Sequence, residues 1–454
     1  MKSKVSLESP IIQYFIGLVV NVAFVIILLS TDLSYRNLQL PEGEYQDNIQ
    51  KGSDVITYLL PARNYLEYGV FGWGNIPDCH RTVGYPLFLA LSMRLFGDSW
   101  LIWVFFVQAA LYACIYPALS KIARILFPNN TSIVVPAFCF YLISGAYIAQ
   151  VPDLLTDTFF AVLFTIGLCF GMLSIVKQRW KYLILQLVII GYAAQVRPML
   201  ALYPILNVFV LWLVARQYGI SDRRKIKIMI ITSSAALLLP CSAPSIRNYV
   251  NYGFFAPTDI LSRNLFMYLG KETMFDRGKQ DSYEVMSRHI EDMYGSETGT
   301  RAVRERMALQ NKYVLEICRK YPATAVKRLA IAAIGTCMHG HWVLVPKFWG
   351  YSWRPGQEGY FKVSKLVFAL LVIWCVIYAV IYVFFLRYFV RLIKERQWLF
   401  LFTIFILVCY FLVPTFVAAS TGRMRLPVEG IIVICAFYEI SRMKRLPLKP
   451  LPTR

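Results

Sequence analysis

Residues 158–176 read TFFAVLFTIGLCFGMLSIV, an uninterrupted apolar run with no charged residue, closed by Asp157 on one side and Lys177 on the other. At 1.5 Å per residue a helix of this length approaches the roughly 30 Å of a bilayer's hydrocarbon core. The run is continuous rather than alternating. Because lipid leaves no partner for open backbone groups, a helix is predicted here and not a barrel strand. Similar runs at 11–30, 100–120, 132–149, 182–196, 200–215, 226–243, 363–386, 398–418 and 426–440 extend the pattern over the chain. They predict an all-α polytopic membrane protein with about ten transmembrane helices. Composition agrees: 57% of residues are hydrophobic and 16% charged, with a mean hydropathy of +0.52, whereas charged residues alone make up about 25% of an ordinary soluble domain.

The formal charge of +21 would suit a nucleic-acid binder, but its placement points to a membrane. Lys121, Arg124, Lys177, Arg179, Lys181, Arg216, Arg223, Arg224, Lys225, Arg387, Arg391, Lys394 and Arg396 fall in alternate short connections, and more lysines and arginines occupy both tails. That bias orients such connections toward the cytoplasm. Both termini are therefore predicted cytoplasmic, with 31–81, 150–156, the corner at Arg197, 244–359 and 419–425 facing outward. The basic N-terminus followed by an apolar run resembles a signal peptide, but no small-residue cleavage pattern precedes Thr31 and Asp32, so a retained anchor is expected.

Two outward segments exceed the roughly 2–8 residues of an ordinary connection. The first loop, 31–97, contains two stretches, 55–68 and 85–96, suited to helices lying on the membrane interface. The second, charged and helix-prone, gives a small extracytoplasmic helical segment at 251–325. The expected organisation is thus an N-terminal transmembrane catalytic module (1–250), this segment, and a C-terminal transmembrane module (326–454). The apolar stretch 326–345 is read as re-entrant or interfacial, since a crossing there would swap the sides of the later basic loops. Ten cysteines without paired short spacing indicate neither a zinc site nor a disulfide framework. His339 and His341 lack a third ligand nearby, so no metal is predicted at them.

The first outward loop puts chemistry-bearing residues together: Asp54 within Ser53-Asp54-Val55-Ile56-Thr57-Tyr58, and Arg81 within Arg81-Thr82-Val83-Gly84-Tyr85-Pro86. From the residues alone Asp54 is equally a general base or the N-cap of a helix beginning after it. Asp157 is equally a cap of its own helix or a site carboxylate. Glu429, inside an apolar span, is expected to pair with Arg425 one turn earlier.

Further strings complete a set: Leu154-Leu155-Thr156-Asp157, Arg197-Pro198, Pro244-x-x-Arg247-Asn248-Tyr249 and Arg423-Met424-Arg425-Leu426-Pro427. In this order the chain resembles the GT-C glycosyltransferases, of the protein O-mannosyltransferase and aminoarabinose transferase branch. The resemblance implies that a sugar on a polyprenyl phosphate passes to an acceptor hydroxyl by single displacement with inversion, on the extracytoplasmic face. It assigns the base to Asp54, with Asp157 as a further catalytic carboxylate. The donor phosphate goes to Arg81, Arg247, Arg425, Arg423 and Arg197, whose planar forks suit phosphate oxygens. Tyr58, Tyr85, His80, Asn248 and Asp153 would contact sugar or acceptor, and Trp73 stands where a sugar could stack. Arg81 replaces a lysine of the aminoarabinose branch, and Thr421 and Met424 depart from that family's acidic residue and tyrosine. No cofactor is implied, and a divalent ion stays compatible with three acidic groups on two loops. The implied partners are the lipid-linked sugar, a lipid, glycan or protein acceptor and membrane lipids, but no nucleic acid, in a bacterial inner membrane. Rival readings are a transporter or flippase, and a polymerase or ligase, of lipid-linked saccharides. A transporter would show charges inside several spans or paired broken helices, and a polymerase or ligase a main catalytic loop late in the chain.

Overall fold

A computed structural model describes residues 7–30, 55–73, 76–144, 147, 151, 154–294, 300–338, 365–417 and 422–443. Among the described residues the regular structure is helical apart from one short antiparallel ribbon, β1 (Gly72–Trp73) and β2 (Ile76–Pro77). The helices are α1 (Pro10–Ser30), α2 (Ile56–Tyr68), α3 (Gly84–Phe96), α4 (Trp100–Ala113), α5 (Ile115–Leu126), α6 (Val134–Ile143), α7 (Thr156–Lys177), α8 (Trp180–Val196), α9 (Tyr203–Gln217) and α10 (Arg223–Tyr252). After them come α11 (Ile260–Asn264), α12 (Lys271–Asp276), α13 (Gln280–Tyr294), α14 (Thr300–Lys320), α15 (Pro322–Met338), α16 (Lys365–Lys394), α17 (Trp398–Leu412) and α18 (Leu426–Met443).

Among the described residues six helical stretches are long and apolar enough to cross a membrane: Pro10–Ile27, Gly84–Leu126, Thr156–Lys177, Arg223–Tyr252, Val372–Lys394 and Trp398–Val417. Shorter apolar helices occupy Thr131–Ile143 and Trp180–Val196. The runs at 182–196 and 200–215 thus become helices of 17 and 15 residues, about 22–26 Å long and under the usual spanning length. The α3 segment, expected on the interface, runs through a turn at Gly97 into α4, and the two belong to one long apolar stretch.

One large core links most of these helices, with α7 at its centre: seventeen of its 22 residues are buried. That explains its lack of amphipathicity, since a helix apolar all round belongs inside a bundle. Polar groups within the core pair with one another. Gln186 donates to Asn207, and Asn207 to the hydroxyls of Ser233 and Ser234, tying α8, α9 and α10. Between α10 and α15, helices α11 to α14 gather around a smaller core of Phe266, Met274, Tyr283, Ile290, Val314 and Ile317.

The Gly84-Tyr85-Pro86 string has a packing role. A β-carbon on Gly84 would lie 2.5 Å from the backbone carbon of Gln195 and 2.7 Å from the nitrogen of Val196. Only glycine lets the start of α3 touch the end of α8. Around it the Thr82 hydroxyl donates to the Val196 carbonyl (2.8 Å) and the Tyr192 hydroxyl to the Gly84 carbonyl (2.9 Å). This seam brings Arg81 and Arg197 to the same end of the bundle. Gly84→Ala is expected to destabilise the protein by about 1–3 kcal/mol, the usual range for overpacking, and to impair any activity needing both arginines. Thermal unfolding in detergent, with a Tm unchanged from the parent, would refute this reading.

Candidate active site

Where α2, α7, α8 and α10 meet, a cavity of about 660 Å³ opens between the bundle and the α11–α14 unit. Chain direction places it opposite the basic connections at 177–181 and 216–227. The start of α7 and the ends of α8 and α10 line it, and those connections join the other ends of the same helices. Four arginines (Arg81, Arg197, Arg263 and Arg306) and His80 face three aspartates (Asp78, Asp157 and Asp259) among the lining residues. The wall therefore carries a net positive charge, which suits an anionic ligand.

Arg81 is fixed by α2. Its Nε donates to the Thr57 hydroxyl (2.9 Å), its Nη1 to the Tyr58 hydroxyl (3.0 Å), and its guanidinium lies 4.5 Å from the Tyr58 ring centroid. Tyr58 in turn hydrogen-bonds Thr156 at the start of α7 (3.1 Å). The next residue, Asp157, forms an ion pair with Arg197. Two arginines from different connections are thus tied to adjacent residues of one helix start.

Asp78 shapes the connection that carries His80 and Arg81. Its two carboxylate oxygens accept the backbone N–H groups of His80 (2.7 Å) and Arg81 (3.0 Å), an Asx-type turn. Burial raises its pKa despite the opposing effects of His80 and these N–H bonds. Next to it, burial and the carboxylates of Asp259 and Asp78 push the Cys79 thiol up to about 12. Cys79 is therefore a protonated packing group and no nucleophile.

Across the cavity Asp259 is held by a histidine and an arginine. His80 Nδ1 lies 2.7 Å from its Oδ1, and Arg306 Nη2 lies 3.3 Å from its Oδ2. Burial acts to raise the Asp259 pKa, but the His80 hydrogen bond and the charges of His80, Arg306 and Arg263 outweigh it and hold the carboxyl below its ordinary value. Asp259 is an ionised carboxylate.

Of the sequence-predicted residues, the structure brings Tyr58, His80, Arg81, Asp157 and Arg197 to this cavity. Arg247 and Asn248 stand behind it. Arg247 donates to the Arg81 carbonyl (3.2 and 3.3 Å) and to Asn248 Oδ1, while Asn248 donates to the carbonyls of Ala256 and Pro257 (both 3.0 Å). They brace the two connections that carry Arg81 and Asp259. Tyr85 is fully buried, donates to Gln108 (2.8 Å), and packs edge-on against Tyr58 and Phe159. Arg425 is buried inside the bundle against Glu429, away from the cavity wall. Asp54, Asp153, His339 and His341 lie outside the described residues, as do the side chains of Trp73 and Arg423.

Sequence reading missed Thr57, Asp78, Asp259, Arg263 and Arg306. Asp78 stands three residues before Arg81, just outside the string that begins there. Asp259 precedes and Arg263 lies in the last turn of a five-residue helix whose sequence carries no strong periodic signal, and Arg306 lies within an amphipathic helix that reads as a solvated surface.

Residues 80–246 match the family model of dolichyl-phosphate-mannose-protein mannosyltransferases, a GT-C type domain. The match begins at His80, includes Arg81, Asp157 and Arg197, and stops before Arg247 and the α11–α14 unit. It supports a membrane glycosyltransferase of the GT-C kind. Searches of curated proteins and of solved structures find no match.

Proposed function

We propose that this protein transfers a sugar from a polyprenyl-phosphate-linked donor to an acceptor hydroxyl, at the bundle end opposite its basic connections. The observation that carries this reading is the net cationic cavity at that end, with Arg81 and Arg197 on its wall, within a mannosyltransferase-type match. The donor is a phosphodiester whose bridging oxygen gains charge as the bond to the anomeric carbon breaks. Fixed guanidinium groups stabilise that charge without reorganising in the transition state. Thr57 and Tyr58 hold Arg81, and Asp157 holds Arg197, so both cations are preorganised. Asp54, two residues before α2 starts, is the base this reading assigns to the acceptor side, in a single displacement that inverts the anomeric carbon. With basic connections cytoplasmic, the reaction faces the other side of the membrane.

The test is to incubate the purified full-length protein in detergent with polyprenyl-phosphate-mannose and a serine- and threonine-rich peptide, and to follow release of free polyprenyl phosphate. Cleavage of the donor with appearance of a mannosylated product of inverted configuration is expected. Movement of intact donor across a vesicle bilayer with no cleavage would overturn the proposal in favour of a transporter.

A further inference from the structure

The reaction just proposed leaves two groups of the cavity without a part: His80 and the carboxylate that holds it. Nδ1 of His80 is committed to Asp259 at 2.7 Å, and among the described residues no hydrogen bond is made by Nε2. The imidazole lines the cavity with about a fifth of its side chain exposed, while Asp259 is nearly fully buried. A buried carboxylate on one ring nitrogen fixes the tautomer and orients the other nitrogen. His80 adjoins Arg81 in sequence, and its partner Asp259 is shared with Arg306, so the imidazole stands within the cation set available to a phosphate. Charged or titratable groups facing the pair are Asp78 and Cys79 from its own connection, Tyr252 from α10, Arg306 from α14 and Arg263 from α11.

The leaving group has a matching chemistry. A polyprenyl-phosphate sugar is a monoanionic diester, and losing the sugar turns it into a monoester whose second ionisation lies near pH 6. An ordinary imidazole titrates near 6.5. We propose that His80 is a catalytic residue that donates the Nε2 proton to the departing phosphate oxygen, with Asp259 as its positioning residue. The bond between the anomeric carbon and the phosphate oxygen breaks, and its electron pair stays on that oxygen. The proton from His80 Nε2 goes to the same oxygen. The acceptor oxygen bonds to the anomeric carbon and loses its proton to the base on its own side. The lipid leaves as a singly protonated phosphate monoester, and water reprotonates His80. The inference rests on the glycosyltransferase reading, yet one arm of its test is independent of it.

That test has two arms, each run across pH 5 to 9 on the full-length protein. In the first, cleavage of polyprenyl-phosphate-mannose is measured for the parent, His80→Gln and Asp259→Asn. Loss of a general acid reduces kcat by about 10²–10⁴-fold. His80→Gln should show that loss with little change in KM, and should lose the fall in kcat at high pH. Asp259→Asn should move that fall to lower pH, because the imidazolium loses its counter-charge; a merely structural role would leave its position unchanged. In the second arm, binding of polyprenyl phosphate itself is measured. The parent should bind it more tightly below the imidazole pKa than above, and His80→Gln should bind it with no such step. A parent that binds with this step but never cleaves the donor would sink the proposed function and leave His80 as a phosphate contact only, overturning the proton transfer. If His80→Gln does not fold, the Asp259→Asn shift decides. Cleavage within threefold of the parent and an unchanged pH profile in either folded variant would overturn the proposal.

Discussion

Glu429→Leu is expected to lower stability by about 3–5 kcal/mol, the cost of leaving a buried cation without its partner. Arg425 is fully buried, with its Nε 3.1 Å from Glu429 Oε2 and its guanidinium stacked 3.6 Å from the Tyr378 ring centroid. Its Nη1 donates to the carbonyls of Thr336 and Cys337 (2.8 and 3.1 Å). Those carbonyls belong to the last turn of α15, where helical oxygens have no partner within their own helix and partial negative charge gathers. Glu429 also accepts from the hydroxyls of Tyr378 (2.8 Å) and Ser144 (3.2 Å). One ion pair therefore joins α15, α16, α18 and the end of α6. Removing the carboxylate takes the counter-charge of Glu429 away from a buried guanidinium, whereas Arg425→Met combined with Glu429→Leu removes both charges and should recover most of the loss. Thermal unfolding in detergent measures both variants. A double variant no more stable than the single one would show that the pair is not a self-contained unit.

That pair also shows how far the sequence could be read. An acidic and a basic residue four apart in an apolar span announced their own contact, because helical spacing puts them on one face. The same spacing could not tell that Arg425 is fully buried and does not line the cavity, since burial depends on which helices surround it. Apolar runs likewise located the helices, but not the way α3 enters the bundle. Gly84 decides that by close approach to Gln195, a contact more than a hundred residues away in the chain. Arg197 was legible because it sits in a short polar corner between apolar runs, and Arg81 because it heads the Arg81-Thr82-Val83-Gly84-Tyr85-Pro86 string of the long first loop. Asp259 and Arg306 were not, because a carboxylate before a short helix and an arginine on an amphipathic helix have common surface explanations. Only the folding of α11–α14 over the bundle end turns them toward His80.

Replacing Arg81 should rank with replacing His80 among the largest effects on activity of single changes to the described cavity wall. Its side chain is held at three points by Thr57 and Tyr58, so little motion has to be frozen when a phosphate arrives. On the proposed reaction Arg81→Ala removes a preorganised charge from the place where negative charge develops and should reduce kcat/KM by about 10²–10³-fold, as loss of one such donor does elsewhere. Arg81→Lys keeps the charge but loses the planar fork that bonds Thr57 and Tyr58 together. It should fall between the parent and Arg81→Ala, mostly through kcat, since a mobile ammonium can bind the ground-state phosphodiester but does not hold the place where charge appears. The contrast with Arg247 sharpens the test. Arg247 braces the Arg81 carbonyl from behind and does not line the cavity, so Arg247→Lys should lower the unfolding temperature with a smaller change in turnover. Steady-state kinetics of donor cleavage, read beside unfolding temperatures, separate these roles. Equal activity losses in Arg81→Lys and Arg247→Lys at equal stability would show that no special placement of the Arg81 fork is needed.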